Sequence, residues 1–249
     1  MSENWKLVIS LAKVYNIPWQ SKNSISIEQY RCISSSLKIP VKTNNHLWLI
    51  ELNKFNHNLF LEVLSADEKE KLYKIIIPLE KKRRAKSRIL LRLILANYLK
   101  ITPSEVAFKY DENGKPIVKN ISFNISHSGN YLAVLIDSCR AIGVDIEHEL
   151  RSGKVVNSLA KRFFSEQEFN AIKNIKSTEQ SILFNRIWTL KEAVLKSTGE
   201  GILSIRKAPD FSFLISKKLD SKIQFYKTKN CKGFTFCDEK FCLSTATDN

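Results

Sequence analysis

The sequence predicts an α+β protein made of two α/β halves behind an N-terminal extension, and three patterns in its 249 residues carry that reading. Apolar, β-branched runs bounded by turn residues alternate with stretches of helical periodicity through Thr198. Strand-like runs then close the chain without further helices. Residues 1–45 fit neither pattern; they carry Trp5, Trp19 and an apolar-periodic stretch, and read as an extension of unknown role. The expected division is 1–45 extension, 46–142 N-terminal half and 143–249 C-terminal half.

The elements follow in order. HLWLIEL at 46–52 is apolar and β-favouring, and reads as the first strand. Ser65 with Glu68 three residues on is a capping box opening a helix. The basic stretch 80–99 is a second helix, with Lys81, Arg84, Arg88 and Arg92 in one stripe and Leu91, Ile94, Leu95 and Tyr98 in another; a solvated face is the plain reading of the basic stripe. Thr102–Pro103–Ser104 breaks the chain, and VAFKYDENGKPIV reads as two strands turning at Asn113–Gly114. FNISHSG at 123–129 reads as a turn before YLAVLID. LAVLIDSCRAIGVDIEHE reads as a hairpin through Asp137, Ser138 and Gly143, and places Asp145 and Glu147, two apart, on one face of a strand. Helices are expected near 154–175 and over 177–198, then strands at DFSFLISKK, KIQFYKT and GFTFCDEKFCLST.

Composition narrows the class. Forty Lys and Arg against 25 Asp and Glu give a net charge of +15, which selects for anionic partners without choosing among nucleic acid, membrane surface, polyphosphate ligands and acidic proteins. No apolar run approaches the roughly 18 residues of a membrane span. The N-terminus lacks a basic n-region and a small-residue cleavage site, so no signal peptide is expected. Five cysteines, an odd number without C-x-x-C spacing, argue for reduced thiols in a cytoplasmic protein rather than a disulfide framework.

The chemistry concentrates in FNISHSG, in GVDIE at 143–147 and in WTLKEAVLKSTGEG at 188–201. Among their side chains are the carboxylates of Asp145, Glu147 and Glu192, with His127, Ser126, Lys191 and Lys196, which suits a magnesium-dependent enzyme acting on a phosphate-rich ligand. Trp188, Glu192 and Lys196 fall at i, i+4 and i+8 of a helix, close enough to share a face. Five of the seven glycines lie in or beside these motifs and GKP at 114–116, as expected of one site assembled from distant segments.

This combination resembles the surfactin-synthetase-activating (Sfp) type of 4′-phosphopantetheinyl transferase. That family carries an N-I-S-H-S segment, a G-[IV]-D-[IV]-E strand and a W-[ST]-x-K-E-[AS]-x-x-K helix followed by a glycine pair. All three occur here in order, with GKP at 114–116 upstream and KRFFSEQEF at 161–169 between the second and third; the resemblance spans residues 46–205. It implies two similar lobes related by a pseudo-twofold, with the ligand between them. It also implies that phosphopantetheine passes from coenzyme A to a serine of an apo acyl or peptidyl carrier protein, releasing adenosine 3′,5′-bisphosphate, as in holo-[acyl-carrier-protein] synthases.

By the same resemblance, Asp145, Glu147 and Glu192 hold Mg2+ (Mn2+ being possible), and Glu192 doubles as a candidate general base. Lys196 neutralises the pyrophosphate. Ser126, His127 and Lys115 contact coenzyme A phosphates, and Arg88 contacts the 3′-phosphate. Family members place lysines near Lys71, and the matching upstream position here is Glu68 or Lys69. Phe163 and Phe164, with Lys161 and Arg162, either face the carrier or pack inward. The expected partner is an acidic carrier protein and the expected state a cytoplasmic monomer. Two other classes share parts of the pattern: a metal-dependent nuclease, for which a strand D-x-E followed by Glu and Lys also serves, and a basic nucleic-acid-binding protein.

Overall fold

The structure is a computed structural model, and it describes residues 6–9, 46–137, 141–148, 151, 153–214 and 223–249. The role expected for residues 1–45 therefore lies outside the described residues, except that Lys6–Ile9 (β1) pairs parallel with His46–Glu51 (β2).

Two sheets carry the molecule. The first has the order β1, β2, Tyr131–Asp137 (β6), Ser122–Ser128 (β5), and the second runs Ile142–Glu147 (β7), Cys242–Asp248 (β10), Cys231–Cys237 (β9), Ile223–Lys227 (β8). Lys109–Tyr110 (β3) and Pro116–Ile117 (β4) form a separate two-stranded hairpin. The helices are Ala66–Tyr73 (α1), Pro78–Leu99 (α2), Gly153–Phe163 (α3), Glu166–Lys173 (α4) and Ser177–Thr198 (α5).

Alternation along the strands builds the layers. Trp48, Ile50, Leu132, Val134 and Ile136 pack with Ile89–Leu91 and Leu93–Ala96 of α2. Their neighbours Leu47, Ala133 and Leu135 turn the other way and share a core with Val144, Ile146, Phe234 and Leu243 of the second sheet. The far face of that second sheet meets α5 through Leu190, Ala193, Val194, Tyr226 and Ala246. The order of layers is α2, first sheet, second sheet, α5. This is the mixed α+β architecture the sequence predicts.

Gly143 explains how β7 lies so close to α5. A Cβ there would stand 1.8 Å from the Ala193 carbonyl oxygen and 2.7 Å from the Ser197 nitrogen. Any side chain would push the strand off the helix that carries Glu192 and Lys196.

Four expectations are corrected. FNISHSG is strand β5 up to Ser128, because its period-2 apolar positions Phe123 and Ile125 pack on the α2 side. β6 and β7 do not form a hairpin: β7 pairs with β10, placing Asp145 opposite Ser244 and Glu147 opposite Cys242. Within DFSFLISKK, Ser212–Leu214 is a 3-10 turn that buries Leu214 against the α5 layer, and 215–218 lie outside the described residues. Cys237 and Cys242, facing each other across β9 and β10, are joined as a disulfide, while Cys231 is free and buried. Cys32 and Cys139 lie outside the described residues.

The basic stripe of α2 is also only partly solvated. Arg92 is 3 % exposed and donates to Glu68 Oε2 at 2.8 Å and to the carbonyls of Pro103 and Val106. Arg88 bonds Glu68 and the Tyr110 hydroxyl and lies over the Phe108 ring. Glu68, a helix-capping residue in sequence, thereby becomes the counterion of two arginines. Burial raises its pKa, but the hydrogen bond from Arg92, the Ser65 amide and the Arg88 charge more than reverse that, so it ends low.

Candidate active site

The site forms where β5, β7 and the last two turns of α5 meet. Odd residues of β7 face α5, which brings Asp145 under Lys196: Nζ donates to Asp145 Oδ1 at 2.7 Å, with further bonds to Ser126 Oγ at 3.1 Å and the Val144 carbonyl at 3.3 Å. Ser126 Oγ in turn donates to Asp145 Oδ1 at 2.8 Å. Asp145 Oδ2 is buried with no hydrogen-bond partner. A buried carboxylate oxygen left unpaired costs about 1–3 kcal/mol or more, so it calls for an explanation.

Glu147 and Glu192 complete an acidic pocket. Burial pushes the Glu192 pKa up to about 7; the negative charges of Asp145 and Glu147 add to this, and Lys196 opposes it. Burial and Asp145 likewise raise Glu147, against the partial relief of Arg151 and Ser128. Mutual repulsion of gathered acids is what a cation would remove. Among the described residues, no group of three or more His, Cys, Asp or Glu side chains is yet arranged to hold a metal ion, and the Lys196 ammonium occupies Asp145 Oδ1. The donor set fits a hard cation in kind: carboxylate oxygens, one of them orphaned.

Ser126 and His127, neighbours in sequence, point to opposite faces of β5. Ser126 joins the carboxylate pocket. His127 stands on the α2 side among Glu80, Arg83 and Arg84; dehydration of the ring lowers its pKa, Glu80 opposes this, and Arg84, Lys196 and Arg83 add to it. Arg83 Nε is buried without a partner. Arg84 is already paired with Glu80 at 2.7 Å, but the unpaired nitrogen of Arg83 suits an anion.

Lys115 reaches the same region from the N-terminal half. Its ammonium donates to the Lys196 carbonyl at 2.8 Å, and Asn113 Nδ2 donates to the Gly199 carbonyl at 3.1 Å. The β3–β4 hairpin thus satisfies carbonyls at the end of α5, where cations are favoured. Gly199 ends the helix in the left-handed conformation, φ +79°. Arg88 is placed apart from these groups, in the Glu68–Tyr110–Phe108 cluster, with Lys71 over the Tyr110 ring.

Several residues around the site were not singled out in the sequence. Arg151 donates to Glu147 Oε1 at 3.3 Å and to Asn185 Oδ1 at 2.9 Å, and lies near the Phe184 and Trp188 rings. Asn124 accepts from the Val144 amide of β7 and Ser128 from the His148 amide just beyond it, a period-2 N-x-S-x-S pattern visible in FNISHSG. Lys191, beside Glu192, pairs with Glu168 at 3.1 Å in the interior. Glu168 belongs to a second capping box with Ser165, readable as S-x-x-E in KRFFSEQEF. Phe163 and Phe164 pack inward on Trp188, the second of the two placements their pattern allowed.

Carboxylates beside cationic side chains, at the seam where β5, β7 and α5 meet, define a class of site suited to a phosphate-rich ligand. Comparison with known proteins agrees. Residues 141–246 match the family model described as the 4′-phosphopantetheinyl transferase superfamily, and residues 48–139 match 4′-phosphopantetheinyl transferase, N-terminal. The chain is 36% identical over 170 residues to 4′-phosphopantetheinyl transferase HetI of Nostoc sp., covering 65% of this chain and 71% of that protein. It is 33% identical to a putative 4′-phosphopantetheinyl transferase of Synechocystis sp. (63% and 65% covered) and 29% identical to 4′-phosphopantetheinyl transferase Sfp of Bacillus subtilis (61% and 67% covered). The chain belongs to the 4′-phosphopantetheinyl transferase superfamily. That membership replaces the nuclease and nucleic-acid-binding alternatives. Among the described residues no helix is long and apolar enough to cross a membrane.

Proposed function

We propose that this transferase moves phosphopantetheine from coenzyme A to the serine of an apo acyl or peptidyl carrier protein, using Asp145, Glu147 and Glu192 to hold Mg2+ or Mn2+. The observation that carries the site assignment is the acid pocket itself: three carboxylates share it, Glu192 is pushed up to about 7, and Asp145 Oδ2 is buried and unpaired. Bound there, the cation would neutralise charge on the pyrophosphate.

The chain's own groups divide the remaining work. The serine oxygen bonds to the β-phosphorus, the bond from that phosphorus to the bridging oxygen breaks, and adenosine 3′,5′-bisphosphate leaves with the electron pair. The serine proton goes to the Glu192 carboxylate, directly or through a water, as general base. Lys196 supplies positive charge at the pyrophosphate. Ser126, His127, Arg83 and Lys115 line the anionic ligand, and the orphaned Arg83 Nε supports that placement. Arg88, which shares the single charge of Glu68 with Arg92, serves the 3′-phosphate through its remaining donors. The division at 142/143, a monomeric state and a cytoplasmic setting belong to the same reading. The net charge of +15 supports an acidic carrier.

The test is the mass of an apo carrier protein after incubation with coenzyme A and Mg2+. A gain of one phosphopantetheine, abolished by chelator, is expected. If a panel of diverse apo carriers gains nothing, the assignment of substrate fails.

A further inference from the structure

Among the described residues β7 is an edge strand, paired with β10 on one side only. Alternate amides of such a strand point away from its sheet and need acceptors. Here the acceptors are side chains. Val144 N donates to Asn124 Oδ1 at 3.0 Å, Ile146 N to Ser126 Oγ at 3.4 Å and His148 N to Ser128 Oγ at 3.0 Å. Both rows repeat every second residue, so β5 offers one face of short polar side chains to the open edge of β7. The two sheets are joined at this seam by a side-chain ladder instead of a backbone one.

Ser128 does more than accept. Its hydroxyl also donates to Glu147 Oε2 at 3.3 Å, while Arg151 holds Oε1 at 3.3 Å. A hydroxyl has one proton to give and lone pairs to receive, so it can serve the amide and the carboxylate together. Asn124 accepts from the Val144 amide, and among the described residues no hydrogen bond links it to Glu147. We propose that Asn124 and Ser128 are positioning residues: both seat β7 at the seam, and Ser128 in addition aims the Glu147 carboxylate into the acid pocket. The proposal rests on the transferase reading above, and its test separates the two.

In the full-length protein, Ser128→Ala, Ser128→Thr and Asn124→Ala are compared by amide hydrogen exchange over 142–148, by Mn2+ binding followed by electron paramagnetic resonance, and by transfer kinetics. Ser128→Ala should speed exchange at 146–148, weaken Mn2+ binding about tenfold and lower kcat by a similar factor with the KM for coenzyme A unchanged, the size expected when a group orienting a metal ligand is lost. Ser128→Thr keeps the hydroxyl and should restore most of all three. Asn124→Ala should speed exchange around Val144 and leave Mn2+ affinity as in the wild type. Should Ser128→Ala not fold, Ser128→Cys, a weak donor of similar size, carries the same expectations. Wild-type exchange and Mn2+ affinity in Ser128→Ala, or a threonine variant as impaired as alanine, overturns the proposal. If the wild type binds no Mn2+ and loads no carrier, the transferase reading falls, and unchanged exchange in both alanine variants would also sink the ladder.

Discussion

Lys191 and Glu192 are consecutive on α5, yet they serve opposite regions of the molecule. Lys191 turns inward to Glu168, a pair 1 % and 0 % exposed, and also donates to the Pro209 carbonyl at 3.2 Å. Glu168 further accepts from the amides of Ser165 and Phe211, both at 2.8 Å. Each charge in that region is matched, and the result ties α5 to α4 and to the chain beyond Ala208. Glu192 turns to the acid pocket, where its nearest charges include two of its own sign and its pKa rises to about 7. The difference teaches how to separate structural from site acids in this fold. Structural acids are surrounded by donors; site acids are left with an imbalance that only a ligand can settle.

The strongest way to break that comparison is Asp145→Ala. If the pocket is organised for a cation, removing its most buried oxygen donor should lower transfer at saturating Mg2+ by roughly 10²–10³-fold, the size of losing one preorganised electrostatic group. The fold should survive, because loss of the acid also relieves repulsion on Glu147 and Glu192. Mass-spectrometric carrier loading, with circular dichroism as a control, measures both. A folded variant with near wild-type turnover would place Asp145 outside the reaction.

Lys191→Ala should do the reverse. It strands Glu168 in the interior, and breaking a buried pair by removing one partner costs about 3–5 kcal/mol. A melting temperature lower by about 10 °C is expected for a chain of this size. Protein that remains folded should keep its KM for coenzyme A, since Lys191 points away from the pocket. A stable variant with a raised KM would mean that Lys191 belongs to the site after all.

Much of this arrangement is legible in the chain because it is local. Period-2 alternation places Asp145 and Glu147 together, S-x-x-E marks the starts of α1 and α4, and helical spacing puts Glu192 one turn before Lys196. The rest depends on partners far away in sequence. Nothing near β7 says that it pairs with β10, about a hundred residues on, and so the β6–β7 hairpin reading fails. Arg84 and Arg92 occupy the same stripe, but only Arg92 meets Glu68 and the carbonyls after Pro103. Cys237 and Cys242 become neighbours only once β9 and β10 pair. Arg151 reaches Glu147 from four residues away, but its second partner, Asn185, lies on α5. A basic residue following an acidic one carries no signal of its own.

The subtlest expectation concerns pH, and it sharpens the contrast between the two kinds of acid. Burial and the neighbouring acids push the Glu192 pKa up to about 7 in the folded protein, against an ordinary value of about 4.5, so the folded state favours its protonated form. The stability this contributes is complete below about pH 4.5 and is lost as pH rises through about 7. Glutamine imitates the protonated acid. Metal-free Glu192→Gln should therefore match the wild type near pH 4.5 and exceed it at pH 8, by about 2 kcal/mol after allowing for solvent screening, or a melting temperature about 5 °C higher. Glu68, whose pKa is lowered by Arg92, the Ser65 amide and Arg88 against the opposing effect of burial, has the opposite sign. Its stabilisation is present above the ordinary carboxylate range and fades as pH falls through its folded value, so Glu68→Gln should lose stability at pH 8 and lose less in acid. Thermal melts of both variants with chelator present, from pH 4.5 to 8, decide the matter. Curves for the two glutamine variants that run parallel, with no crossing trend against the wild type, would mean that the acid pocket carries no imbalance for a cation to settle.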